Sequence, residues 1–287
     1  MIFGTWKQSF EFAKLSYSTL LQNPHLLFYP LMSGTAYLVV IASYFVPLEA
    51  TGSLEAWKEH IQQWQASRYE AQSAPDDIGM YITFFSFYFT TYFVIIFFNT
   101  ALIASSMHII DGHRGTLGMG LKFAFKRLPS IVGWVLLSAV FGLFLRILEK
   151  NEQIGRIVAG LLGTAWTALA YFVVPVIVSE GKGPFASIKR STQVLTETWG
   201  TALIGNFSLG IMSSLLMIPT IIISVAVGHF LGLIPGVITA AALLLLGVLL
   251  NTAAESVFRA YLYAYATGET LPENVDTTGL DIAFVSK

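Results

Sequence analysis

Glu255 and Arg259 are where this chain's residue types and spacing come closest to chemistry. Four residues apart, they share one helical face, and glutamate before arginine is the favoured order for a pair. Both fall in a long apolar stretch. Ionisable groups there are expensive and are functional candidates by default. Two readings stay open: a salt bridge near a membrane interface, or a gate or substrate contact. Asn99 and Asn251 are polar without charge. They could line a central polar space, or hydrogen-bond between helices together with Asn206.

The stretch "SSMHIIDGH" holds Ser105, Ser106, His108, Asp111 and His113. His108 and Asp111 are three apart and could meet on a helix. A metal site needs more ligands in defined geometry, and a hydrolase needs a nucleophile set against its base and an oxyanion hole. A helix end with interfacial polar residues explains the stretch at less cost. His25, His60 and His229 stand alone. "GTLGMG" lacks the lysine and the strand context of a phosphate loop. No catalytic, cofactor or metal residue is assigned, and no enzyme activity is expected. Cysteine is absent, which removes disulfides and thiolate chemistry.

The elements that must position these residues are set by composition. Of 287 residues, 55% are hydrophobic and 11% charged, against about 25% charged in ordinary soluble domains. The apolar blocks reach the roughly 20 residues needed to cross a bilayer. A net charge of −1 gives no reason to expect nucleic acid. The expected fold is an all-α polytopic membrane protein, one integral membrane domain over 1–287. Its six spans fall near 25–46, 79–108, 130–148, 155–178, 201–227 and 233–259, and their middles carry no charge. Pro30, Pro175 and Pro219 lie in or at the ends of spans and could kink them. The start, "MIFGTWKQSFEFAKLSYS", has no basic segment leading into an apolar one, so no cleavable signal peptide is expected.

Lysine and arginine set the orientation. One side would hold Lys7, Lys14, Arg114, Lys122, Lys126, Arg127, Lys182, Lys189, Arg190, Arg259 and Lys287. The other would hold Lys58, Arg68, Arg146, Lys150 and Arg156. Eleven against five places both termini in the cytoplasm of a prokaryotic inner membrane, and the 47–77 loop outside.

Three cytoplasmic segments are amphipathic. Phe3, Trp6, Phe10, Ala13, Tyr17 and Leu20 step by 3 and 4, as do Leu117, Leu121, Ala124 and Leu128, and Phe185, Ile188, Thr192, Leu195 and Trp199. Lys122, Lys126, Arg127, Lys189 and Arg190 are the expected lipid-headgroup contacts. The same helices could instead pack against their own spans. In the outer loop Leu54, Trp57, Ile61 and Trp64 predict a further helix, with Ser53 as N-cap. It would lie on the outer surface or fold over the spans.

These segments recur in a threefold pattern. Lys14, Ser16 and Leu20 match Lys189, Ser191 and Leu195, and Lys122, Ala124 and Leu128 fit the same frame. The second span of each pair carries "NTA" at Asn99, "GTA" at Gly163 or "NTA" at Asn251. Each pair closes on glycine, in "DGHRG", "EGKG" and "TGE". The prediction is three parallel repeats of surface helix plus two spans, about 1–112, 113–181 and 182–268, followed by a tail over 269–287. No inversion is needed, unlike many secondary transporters. Gly155, Ala159, Gly163 and Thr167 make a small-residue face that suits a central helix or a homo-oligomer contact.

The junction "PVIVSEGKGPFASIKRS" carries Pro175, Glu180, Ala186 and Ser191. This pattern resembles uncharacterised prokaryotic integral membrane families, among them the membrane domain attached to some glycerophosphodiester phosphodiesterases. The ending "YLYAYATGETLPENVD" is similar to a family of unknown function, DUF6159. The resemblance implies a multi-span membrane protein with no assigned activity, and no phosphodiesterase chemistry carries over. The function expected is a non-catalytic scaffold or lipid-interacting module with membrane lipids and copies of itself as partners. The alternative is a transporter or channel for a lipid or small neutral solute. Protein partners are not indicated.

Overall fold

The structure, a computed structural model, describes the backbone of residues 2–69, 78–149 and 152–269. It describes the side chains of 12–63, 82–145, 148, 155–196 and 218–269. Trp6, Trp64, Trp199 and Asn206 therefore contribute backbone only, and the 270–287 part of the tail lies outside the described residues. Every described element is helical.

α1 (Ile2–Gln22) ends where Asn23 and Pro24 interrupt it; the Asn23 N–H still reaches the Thr19 carbonyl at 2.9 Å. A short 3-10 turn, Pro24–Leu27, leads into α2 (Phe28–Ala50). α3 (Leu54–Tyr69) is the expected outer helix. Its Trp57 packs on Phe45 of α2, with ring centroids 6.0 Å apart, and on Phe84 at 6.4 Å. It is thus folded over the neighbouring helix ends. α4 (Ile78–Ile110) carries Phe84. α5 (Leu117–Lys126) starts at Thr116, whose Oγ1 accepts from the Met119 N–H at 3.3 Å. α6 (Leu128–Glu149), α7 (Glu152–Leu169) and α8 (Val173–Ser179) follow. α9 (Pro184–Leu231) and α10 (Leu233–Ala266) form an antiparallel pair.

The α9–α10 turn depends on two glycines. Gly232 has φ +99, a backbone region L side chains rarely adopt. At Gly236 an added Cβ would stand 2.7 Å from the Gly228 Cα, so the two backbones touch.

Five stretches are long and apolar enough to cross a membrane: 24–50, 82–110, 128–145, 155–179 and 233–266. They make this an integral membrane protein. The expected span at 201–227 and the surface helix at 184–199 belong to one unbroken 48-residue helix, α9, whose last part, Ile218–Leu231, is apolar. The reason is local: between Trp199 and Thr201 stands only Gly200, and one glycine does not stop a helix. α9 also runs through Pro219 without interruption.

Pro175 does interrupt. It has no N–H to give to the Tyr171 carbonyl, and its ring crowds that turn. The helix breaks over 170–172 into α7 and α8.

Burial divides the bundle along its length. In α10, the 20 residues Leu233–Thr252 are exposed or half-buried, apart from Gly236. At 1.5 Å per residue they rise about 30 Å, the thickness of a bilayer's hydrocarbon. From Ala253 to Ala264 the helix is buried, with two exceptions treated below. The same change occurs in α4 at Ile96 and in α7–α8 at Phe172. The core therefore lies at one end, called here the base. There α5 and α8 pack on α4, α8 packs on α9, and α1 packs on α9 and α10. Phe12 of α1 meets Phe258 edge-on at 6.2 Å, and its Thr19 hydroxyl lies 2.9 Å from the Tyr261 hydroxyl.

Ser16, Ala124 and Ser191 occupy one position of the threefold sequence frame, and all three are fully buried in the base. The closing glycines also share a conformation: Gly112, Gly181 and Gly268 have φ of +81, +64 and +73. At Gly112 and Gly268 the bonding around the turn is the same. Gly112 N–H donates to Ile109 and His113 N–H to His108; Gly268 donates to Tyr265 and Glu269 to Ala264. Gly52 closes α2 in the same way, so the turn itself is not peculiar to the repeat.

The small-residue face of α7 is used within the chain. Ala159 is buried, and a Cβ on Gly163 would meet Leu145 at 3.5 Å. The rest of α7 is largely exposed, so the helix is peripheral rather than central.

Candidate functional site

Polar side chains concentrate at the base, where the closing helices end. The junction after α8 supplies most of them. Gly181 turns the chain, and Gly183 and Pro184 start α9. This brings Glu180 beside Arg190, less than two turns into the next element. Glu180 Oε1 accepts from Arg190 Nε at 2.7 Å and from the Tyr263 hydroxyl of α10 at 2.7 Å. Lys182 Nζ binds the other carboxylate oxygen. Tyr263 in turn accepts from the Ser179 hydroxyl at 3.0 Å. Partial burial pushes the Glu180 carboxyl up. The hydrogen bonds from Lys182, Arg190 and Tyr263, with the Arg190 charge, outweigh it and bring the group down to about 2. The same contact holds the Arg190 guanidinium above its ordinary value. This hub locks α8, α9 and α10 together.

Ser191 closes the break left by Pro175. Its Oγ accepts from the Phe172 N–H at 3.0 Å and donates to the Leu169 carbonyl at 2.6 Å. Both groups lie at the helix break and would otherwise lack this partner. Ser191 is therefore structural, and no base approaches it in these contacts.

Arg127 joins the same corner. Its Nη2 donates to the Val178 carbonyl at 3.3 Å, its guanidinium lies 5.5 Å from the Phe123 ring, and it rests against Gly181, where a Cβ would stand 2.2 Å from Nη1. Of the five expected headgroup contacts, Arg127 and Arg190 thus have protein partners. Lys122, Lys126 and Lys189 are exposed, as is Lys14. Phe125 and Phe185, beside them in sequence, are 63% and 76% exposed.

Glu255 and Arg259 do pair, Arg259 Nη2 on Glu255 Oε1. The Arg259 guanidinium lies 4.8 Å from the centre of the Tyr171 ring, at the α7–α8 break. Its Nε is buried and without a hydrogen bond. Tyr92 of α4 interacts with Ser138 and Trp134 of α6 and lies within electrostatic reach of this charge. Ser138 is buried.

The two asparagines differ. Asn99 Oδ1 accepts from the Ser256 hydroxyl at 2.9 Å, tying α4 to α10. Asn251 Oδ1 is buried without a partner, and the residue lines a 340 Å³ groove between α9 and α10 with Pro219, Thr220 and Leu250. Asn99 is not among the residues that line this groove.

The remaining polar stretch makes local contacts. His108 and His113 stack at 4.7 Å around the end of α4. Ser106 donates to the Leu102 carbonyl at 2.8 Å, one turn back in its own helix. Among the described residues no group of three His, Asp or Glu side chains is placed to hold a metal.

The model of a family of unknown function, DUF6159, matches residues 78–271, from the start of α4 past the end of α10. The chain belongs to DUF6159. The matched span contains both the Glu180 hub and the Glu255–Arg259 pair, while α1, α2 and α3 precede it. No curated protein and no solved structure matches this DUF6159 chain.

Glu180 is visible in sequence as an acid followed by two glycines, a proline and a cluster of positive charges. Its partner Tyr263, 83 positions away, carried no signal. Nothing in sequence marked Tyr171 as the wall behind Arg259.

Proposed function

We propose that this DUF6159 member is a non-catalytic membrane protein that engages anionic lipids of the cytoplasmic leaflet, with its base on the cytoplasmic side and both termini inside. One observation carries the reading. Lys14, Lys122 and Lys189 hold equivalent positions in the sequence frame, and all three are exposed while the residue two places on is sealed in the core. The helices thus turn one face to the bundle and a lysine outward. Lys126, Phe125 and Phe185 add a fourth charge and two aromatic anchors beside it. A lysine near an anionic membrane surface contributes about 1 kcal/mol, so four give a preference that salt would weaken. Three parallel units with six spans, in a prokaryotic inner membrane, accommodate this arrangement. The likeness to the membrane domain attached to some glycerophosphodiester phosphodiesterases, carried by Pro175, Glu180, Ala186 and Ser191, fits it as well. A homo-oligomer would present several such faces side by side.

The test is lipid retention. The protein is released from nanodiscs of mixed phosphatidylglycerol and phosphatidylcholine into native mass spectrometry, which also reports oligomeric state. Wild type should keep phosphatidylglycerol in excess, and a K14Q/K122Q/K126Q/K189Q variant should lose that excess. Equal retention by both would end the reading.

The second reading, transport of a lipid or small neutral solute, draws on the groove that reaches Asn251 between α9 and α10. Leu244 and Val248 line it, so a Leu244→Trp change that fills it should block uptake into proteoliposomes if that reading holds.

A further inference from the structure

Between Ala253 and Ala264, ten of twelve residues in α10 are buried; Glu255 and Arg259 are the two that reach the surface. Their side chains are 39% and 27% exposed. A charge pair that served only to neutralise itself would be expected to close over with the rest of this stretch. Instead it opens outward, and one wall is aromatic: Tyr171 lies across the guanidinium.

Depth specifies what reaches it. Glu255 lies 22 residues beyond Leu233, about 33 Å along the helix. Helical side chains lean toward the helix N-terminus, so Arg259 reaches back to the Glu255 level, as their contact shows. The pair therefore sits just past about 30 Å of hydrocarbon, at the level of glycerol and phosphate.

Charge specifies the chemical class. A lone anion on Arg259 would be repelled by Glu255, and a lone cation on Glu255 by Arg259. A zwitterion answers both, with no net charge brought into the site. The guanidinium Nε has no hydrogen-bond partner of its own within the protein. We propose that Glu255 and Arg259 bind the zwitterionic headgroup of a phosphatidylethanolamine, with phosphate on Arg259 and ammonium on Glu255. A choline headgroup fits less well, because its quaternary nitrogen has no N–H to donate. This shares with the proposed function the premise that lipids dock at the base, but it uses different residues and a different lipid.

The full-length protein is reconstituted into nanodiscs of equal phosphatidylethanolamine, phosphatidylcholine and phosphatidylglycerol, and retained lipid is measured. Wild type should favour phosphatidylethanolamine over phosphatidylcholine about tenfold, the equivalent of one charge-assisted hydrogen bond, beside the phosphatidylglycerol held by the lysines. Glu255→Gln should move the preference to phosphatidylglycerol, because the arginine is then unpaired. The E255Q/R259Q double variant, which leaves no orphan charge, should fold and show no preference. Wild type without preference, or Glu255→Gln still selecting phosphatidylethanolamine, overturns the proposal. If the single variant does not fold, a folded double variant that keeps the preference overturns it. Phosphoethanolamine added to phosphatidylcholine nanodiscs separates the sources. Stabilisation by the solute, with no enrichment of the lipid, overturns the lipid as occupant. The lysine variant described above should leave the phosphatidylethanolamine preference intact, so the two proposals fail separately.

Discussion

Replacing Ser191 with alanine removes one oxygen atom and opens two backbone groups at once. The Phe172 N–H and the Leu169 carbonyl both end on that oxygen, at 3.0 and 2.6 Å; Ser191 and Phe172 are fully buried and Leu169 is half-buried. A buried group left without its partner costs about 1–3 kcal/mol. Two such groups, partly offset because the hydroxyl need no longer be desolvated, give a net loss of about 2–3 kcal/mol. For a chain of this size that is roughly 4–12 °C of melting temperature. The control is built into the sequence. Ser16 is equally buried, but its hydroxyl donates only to the Phe12 carbonyl at 2.7 Å, one turn back in its own helix. That carbonyl keeps its backbone donor when the hydroxyl goes, so Ser16→Ala should cost under about 0.5 kcal/mol. Melting curves in one detergent, at one scan rate because unfolding is not assumed reversible, compare the two. A Ser191→Ala loss no larger than that of Ser16→Ala would refute the claim that Ser191 repairs the proline break.

The Glu180 hub predicts acid sensitivity. A carboxyl held down to about 2, against 4.5 ordinarily, stabilises the fold above pH 4.5 and loses that contribution as pH falls toward 2. Wild-type melting should therefore drop across that window; Glu180→Gln should melt lower at pH 6 and vary less with acid, and equal slopes would exclude the hub as the cause. Gly236→Ala should destabilise by about 1–3 kcal/mol, since its Cβ would strike the Gly228 backbone at 2.7 Å. Gly34→Ala, with nothing within 4 Å, should be neutral or gain up to about 1 kcal/mol of helix propensity; matching effects on thermal melts would contradict this packing. The proposed orientation predicts that an impermeant thiol reagent labels Thr51→Cys but not Lys189→Cys in intact cells. The chain has no cysteine of its own to interfere, and the opposite labelling would invert the topology.

What sequence could and could not convey follows from the range of each interaction. Spans are written in hydropathy over contiguous residues, so 82–110, 128–145 and 155–179 fall close to their expected places. The Glu255–Arg259 pair is four residues apart, and helical geometry alone brings it together. The outer helix was legible because Leu54 and Trp57 keep helical spacing across a polar loop. The continuity of α9 was not, because a surface helix followed by a span and one long helix differ only at Gly200, where the sequence is permissive. The Pro175 break was half legible: the proline marks a disrupted turn, but the repair comes from Ser191, on a separate helix. Arg127 and Arg190 looked like free headgroup contacts because their partners, the Val178 carbonyl and Glu180, are matched by folding and not by spacing along one helix face.

The proposed repeat offers a physical account of why one frame position is serine twice and alanine once. In each unit the surface helix packs against a closing helix of another unit: α5 on α4, the start of α9 on α8, and α1 on α10. Ser16, Ala124 and Ser191 are buried in the base where those helices meet. Close packing demands a small side chain at all three. It demands a hydroxyl only where the closing helix has lost backbone partners, and that occurs in the second unit, at the break before Pro175. α4 and α10 run unbroken through the equivalent stretch, so their neighbours can carry alanine or a serine that bonds within its own helix. Size is thus fixed by the proposed threefold arrangement, and polarity by a local defect in one unit. On this account Ala124→Ser should be tolerated, with its hydroxyl turning to the Gly120 carbonyl one turn back, whereas Ala124→Val should destabilise the base by about 1–3 kcal/mol through overpacking. Thermal melts that rank the two substitutions the other way would remove size as the shared constraint.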